Sequence, residues 1–136
     1  LSNKEEVEIE AMAFNLLIVD DSQVCLMLTK GYVQSFKPDW NCSIANNAED
    51  AIALIEQHNF DAYSLDYSLP GRNGLELARW IRSRDQECFI GLLTSNIMNY
   101  VEDQAVSDKI NYYRKPATAD VIKLFVSDIE RYTLCT

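Results

Sequence analysis

Short apolar runs alternate along this chain with stretches of helical periodicity, and four of the five runs stop at a charged or hydroxyl residue. Residues 14–19 (Phe-Asn-Leu-Leu-Ile-Val) run into Asp20-Asp21, and 62–65 into Asp66. The run 89–93 ends at Thr94, and 110–113 leads through Arg114 to Lys115-Pro116. The remaining run, 42–45, is led in by Trp40. Continuous apolar runs with β-branched members suit strands covered on both faces. Strict strand–helix alternation implies an α/β fold, a parallel sheet with helices on both sides. Right-handed crossovers leave few topologies. The order 2-1-3-4-5 sets the first and third strands side by side at the switch point, where such folds bind ligands. That order gathers Asp20, Asp21 and Asp66 at one edge.

The helices are expected over 23–36, 48–58, 74–84, 100–108 and 119–131, five in all. Ser22, Asn46 or Asn47, and Thr118 have the side chains of N-caps. Cys25, Leu28, Thr29, Tyr32 and Phe36 follow helical spacing as the inner stripe of the first. Asn73-Gly74 reads as a turn needing a positive φ. The helix over 100–108 has a thin apolar face, little more than Val101 and Ala105, which predicts weak packing. Residues 1–13 are rich in glutamate and poor in apolar side chains. They read as a tail or linker, and 14–133 as one domain.

At 136 residues and 48% hydrophobic, the chain has enough apolar material for a core. A net charge of −9 argues against this domain gripping a nucleic-acid backbone. Four scattered cysteines, without a Cys-x-x-Cys pair, and a single histidine argue against zinc. They fit a reducing, cytoplasmic setting. No run has transmembrane length and no signal-peptide pattern is visible, so membrane insertion is not expected.

Two carboxylates about 4 Å apart repel by about 1 kcal/mol in water and about 4 kcal/mol at an effective dielectric near 20. Three gathered carboxylates therefore call for a cation or for protonation, and an oxygen-only site suits Mg2+. Asp20 and Asp21 are candidate ligands; Asp66 is a candidate ligand and nucleophile, since a carboxylate can take a phosphoryl group. Lys115 and Thr94 would meet phosphoryl oxygens with a point charge and a hydroxyl. No Gly-rich phosphate loop is present, and no organic cofactor is expected.

With Asp20-Asp21, Asp66, the segment Leu69-Pro70-Gly71-Arg72-Asn73-Gly74, Thr94-Ser95 and Lys115-Pro116 in this order, the chain resembles the response-regulator receiver domains of two-component signalling, of the chemotaxis-regulator type. The resemblance spans nearly all of 14–131 and implies a flavodoxin-like, doubly wound fold. It implies Asp66 as phosphoacceptor, with Asp20, Asp21, Asp66 and the carbonyl of Ser68 around Mg2+. It implies Thr94 and Lys115 as phosphate sensors and Tyr112 as the switch aromatic. The face made by the fourth helix, fifth strand and fifth helix would then change its binding. The implied partners are a histidine kinase or histidine phosphotransfer protein and an output domain or downstream protein. The protein would be a switch that accepts phosphate and loses it slowly, rather than a turnover enzyme.

The chain departs from the family pattern in places. Ser107-Asp108-Lys109-Ile110 stands where Gly-Ala is frequent, Ala117 where phenylalanine is usual after Lys-Pro, and Arg72 where methionine is common. Ser68 and Asn96 occupy the positions that flank the phosphate pocket in the family. Two other readings stand beside this one. One is a pseudo-receiver that signals by contact alone. The other is a Mg2+-dependent phosphohydrolase, which needs a second aspartate where Ser68 stands and a cap domain for which there is no length.

Overall fold

The apolar runs form one parallel five-stranded sheet. The computed structural model describes residues 13–95 and 109–135. In chain order these are β1 (Asn15–Val19), α1 (Gln23–Phe36), β2 (Asn41–Ala45), α2 (Ala48–Gln57), β3 (Ala62–Asp66), α3 (Gly74–Arg84), β4 (Phe89–Thr94), β5 (Asn111–Arg114) and α4 (Ala119–Cys135). The strand order is β2-β1-β3-β4-β5, all parallel, as the alternation requires. The expected helix over 100–108, Asn96, and the expected tail apart from Ala13 lie outside the described residues.

The sheet separates two cores. On one side Leu17, Val19, Leu65, Ile90 and Leu92 meet Ala51 and Ile55 of α2 and Leu77, Ala78 and Ile81 of α3. On the other, Leu16, Ile18, Phe89 and Leu93 meet Leu26 and Val33 of α1 and Ile122, Phe125 and Ile129 of α4. The alternation of side chains along each strand assigns them to opposite faces. β3 is buried at all five positions, so Asp66 at its end is carried into the interior by its neighbours. Among the described residues, no helix is long and apolar enough to cross a membrane.

The caps form as expected: Ser22 Oγ accepts from Cys25 N, and Thr118 Oγ1 from Val121 N. Asn47, not Asn46, caps α2 by accepting from Asp50 N at 2.7 Å. The inner face of α1 differs from the expected stripe. Leu26, Thr29 and Val33 are buried, whereas Leu28 is exposed and Cys25, Tyr32 and Phe36 lie at the margin. Val24, Met27 and Leu28 are apolar yet exposed, so periodicity alone does not fix the rotation of this helix.

Gly74 is needed for a different reason from a positive φ, which belongs instead to Gly71 at 78°. Gly74 opens α3 against the backbone of β3, donating its N–H to Tyr67 O at 2.8 Å. A Cβ on Gly74 would lie 2.1 Å from the carbonyl oxygen of Asp66. Asn73 is the N-cap, its Oδ1 accepting from Glu76 N. The approach of α3 to the end of β3 is therefore set by backbone contact. Gly74→Ala is expected to cost about 2 kcal/mol or more in urea denaturation. Gly31→Ala, in an open stretch of α1 with nothing near its Cβ position, should gain up to about 1 kcal/mol. Equal effects would show that the close approach is not what demands glycine.

Candidate functional site

Pairing of β1 with β3 aligns Val19 with Leu65, so Asp20 and Asp66 emerge next to each other at the carboxyl edge of the sheet. Both are 5% exposed, while Asp21 is exposed. The Asp20 carboxylate holds the turn into α1 by accepting from Ser22 N at 2.9 Å. The Asp66 carboxylate accepts from Ser68 N at 3.3 Å. Lys115 arrives from β5, two strands and roughly 10 Å from β3. Its backbone N–H donates to Thr94 O at 2.9 Å, which pins the start of the reach. Its ammonium then donates to Asp20 Oδ2 at 2.7 Å and lies 3.2 Å from Asp66 Oδ1.

Asp20, Asp21, Asp66 and Lys115 therefore converge, with one pairing that sequence reading did not anticipate. Lys115 binds Asp20 more closely than it binds Asp66. Sequence order gave no signal for this choice, because both aspartates end adjacent strands. Thr94 is buried at the end of β4, one residue beyond Leu93, the neighbour of Asp66 in the register. Tyr112 is half-buried, its ring packed against the core on the α2–α3 side. Tyr113 points to the opposite core, meets Phe125 edge-on and donates its hydroxyl to Asp128 Oδ2 at 2.7 Å. Arg72 and Arg114 are exposed.

Burial first, and then the charge of Asp20, pushes the Asp66 carboxyl up to about 6, against the pull of Lys115 and the Ser68 N–H. Burial alone would lower the Lys115 ammonium. Its hydrogen bond to Asp20 and the charges of Asp66 and Asp20 outweigh that and raise it. One ammonium between two buried carboxylates leaves negative charge in excess. Asp20, Asp21 and Asp66 each offer a carboxylate oxygen, and all three oxygens lie within 4.8 Å of one another. A set of hard oxygens at this spacing, with Asp21 open to solvent, fits a Mg2+-sized cation.

The Asp66 shift has a sign that can be tested. Unfolded aspartates titrate near about pH 4. A carboxyl raised in the folded state opposes folding when it ionises, so the penalty is absent below about pH 4. It grows between about pH 4 and 6 and persists above. In chelator-treated protein, Asp66→Asn should therefore be more stable than the native chain by about 1–3 kcal/mol near pH 7. The gain should disappear near about pH 4. Urea denaturation across this range reads it; a variant less stable at neutral pH would contradict the assigned environment.

The fold has counterparts among known proteins. A family model described as the response regulator receiver domain matches residues 16–126. The transcriptional regulatory protein MalR of Bacillus subtilis is 25% identical over 118 residues, 86% of this chain and 50% of that protein. Probable histidine kinase 6 of Oryza sativa subsp. japonica is 33% identical over 72 residues, 52% of this chain and 7% of the kinase. The structure of the Thermotoga maritima response regulator TrrA in complex with Mg2+-BeF is 29% identical, with a TM-score of 0.74. The alignment covers 85% of this chain and 98% of TrrA. The chain spans half or less of the length of these two curated relatives.

Proposed function

Since the chain belongs to the response regulator receiver domains of two-component signalling, we propose that it is a phosphoacceptor switch and that Asp66 is its acceptor. The receiver unit is residues 14–133, with 1–13 a tail or linker. The observation that carries the reading is the Lys115 ammonium shared by Asp20 and Asp66, with Asp21 adjoining.

The donor is a phosphohistidine on a histidine kinase or phosphotransfer protein in the cytoplasm. A carboxylate oxygen of Asp66 attacks phosphorus as the P–N bond to the imidazole breaks. The bonding pair returns to the imidazole nitrogen, which then takes up a proton. Near neutral pH most Asp66 is ionised, even with its carboxyl raised to about 6, so the nucleophile is available. Lys115 exchanges part of its contact with Asp20 for a phosphoryl oxygen, and the Thr94 hydroxyl donates to another. Asp20, Asp21, Asp66 and the Ser68 carbonyl would hold Mg2+, which supplies positive charge to the transferring group when bound. Transfer of this kind depends on positioning and charge neutralisation, and these residues provide both.

The product adds about two negative charges beside Thr94. Movement of Thr94 towards them and of the Tyr112 ring into the freed space would alter the face that β5 and α4 present, which the helix expected over 100–108, outside the described residues, would share. That face would meet an output domain or downstream protein, because much of the length of related proteins lies outside the matched region.

Incubation with acetyl phosphate and Mg2+, read by intact mass, tests the reading. One phosphoryl adduct is expected, lost slowly on standing, absent in Asp66→Asn and suppressed by chelation. No adduct, or an equal adduct in Asp66→Asn, would overturn it. Mg2+ at about ten times its Kd should also stabilise the fold by about 1.4 kcal/mol, because it binds only the native site. An unmoved thermal midpoint would count against the metal assignment.

A further inference from the structure

At the end of the sheet away from the aspartates, one guanidinium ties three segments together. Arg82, in the last turn of α3, donates from Nη1 to Cys88 O at 2.7 Å and to Asp85 O at 3.3 Å. From Nη2 it donates to Lys109 O at 3.0 Å, across 27 residues of sequence. Its base is rigid. Asp85 Oδ1 accepts from Glu87 N and Cys88 N, and Tyr132 Oη donates to Glu87 O at 2.7 Å.

Lys109 itself has a φ of 59°, in the left-handed region that glycine occupies freely and other residues adopt at a cost. Such a backbone persists only where its surroundings hold it. Two residues later β5 begins; it carries Tyr112 as its second residue, and Lys115 follows directly on its far end. We propose that Arg82 is a positioning residue for the phosphate pocket: by gripping the Lys109 carbonyl it enforces the left-handed turn that starts β5, and so fixes the reach of Lys115. It touches no reacting atom and acts through the strand. The effect on the pocket rests on the phosphoacceptor reading above; the grip on β5 does not.

The test compares wild type, Arg82→Ala and Arg82→Ala/Lys109→Gly by amide hydrogen exchange and by separate Mg2+ and beryllofluoride titrations. In Arg82→Ala, amides 111–114 should exchange about tenfold faster while those of β1 keep their protection. Beryllofluoride affinity should fall about tenfold, because Lys115 is misplaced. Mg2+ affinity should not fall, since its aspartates sit on β1 and β3 and a displaced Lys115 ammonium leaves them more negative. Lys109→Gly should restore both protection and affinity, because glycine adopts the turn unaided. Unchanged exchange in β5, parallel loss in β1 and β5, equal loss of both ligands, or failure of Lys109→Gly to rescue would each overturn the proposal. If wild type itself bound no beryllofluoride, the phosphoacceptor reading would fall, and the exchange data alone would decide the role of Arg82 in holding β5.

Discussion

Two carboxylates cannot be buried side by side without a counter-charge, and here the ammonium of Lys115 supplies it. The rest of the architecture serves that contact. The order β2-β1-β3-β4-β5 makes Asp20 and Asp66 neighbours, and a buried β3 carries Asp66 inward. Gly74 lets α3 close against the end of β3, and the bond from Lys115 N to Thr94 O sets where the lysine begins its reach. The compensation is incomplete. The Asp66 carboxyl is raised by its burial first and by the charge of Asp20 second, and that second contribution is what a divalent cation would relieve.

Much of this was legible in the residues. Parallel strands need apolar side chains on both faces, so 14–19, 62–65 and 89–93 announce themselves, and their polar endings mark the carboxyl edge. Asp66 and Thr94 proved to be the last residues of β3 and β4 rather than the first beyond them, a shift of one position. The rotation of α1 was not legible, because the exposed Val24, Met27 and Leu28 widen the apolar surface beyond the buried face. Nor was the role of Gly74: a close backbone approach has no local sequence signature, whereas a positive φ does. The preference of Lys115 for Asp20 depends on a path across two strands, which spacing along the chain does not encode.

Identities of 25–33% to the relatives are compatible with a shared fold, because the sheet asks for pattern and volume more than for particular residues. Particular residues matter where charge or backbone geometry decides. Lys109 is instructive. A left-handed turn made by a residue other than glycine is held by Arg82 from another element, so a local cost is offset by a distant contact. The two ends of the sheet thus differ in kind: one gathers opposed charges that a ligand can rearrange, and the other is tied by neutral carbonyls to a fixed cation.

The central claim is that Asp20, Asp21, Asp66 and Lys115 form one pocket for a metal and a phosphoryl group. A crystal structure of the protein grown with Mg2+ and beryllofluoride tests it most directly. The account predicts beryllium bonded to a carboxylate oxygen of Asp66, Mg2+ held by the aspartate oxygens, and the Lys115 ammonium against a fluorine. A bare Asp66 under saturating ligand, or an adduct from which Lys115 stays turned away, would contradict it.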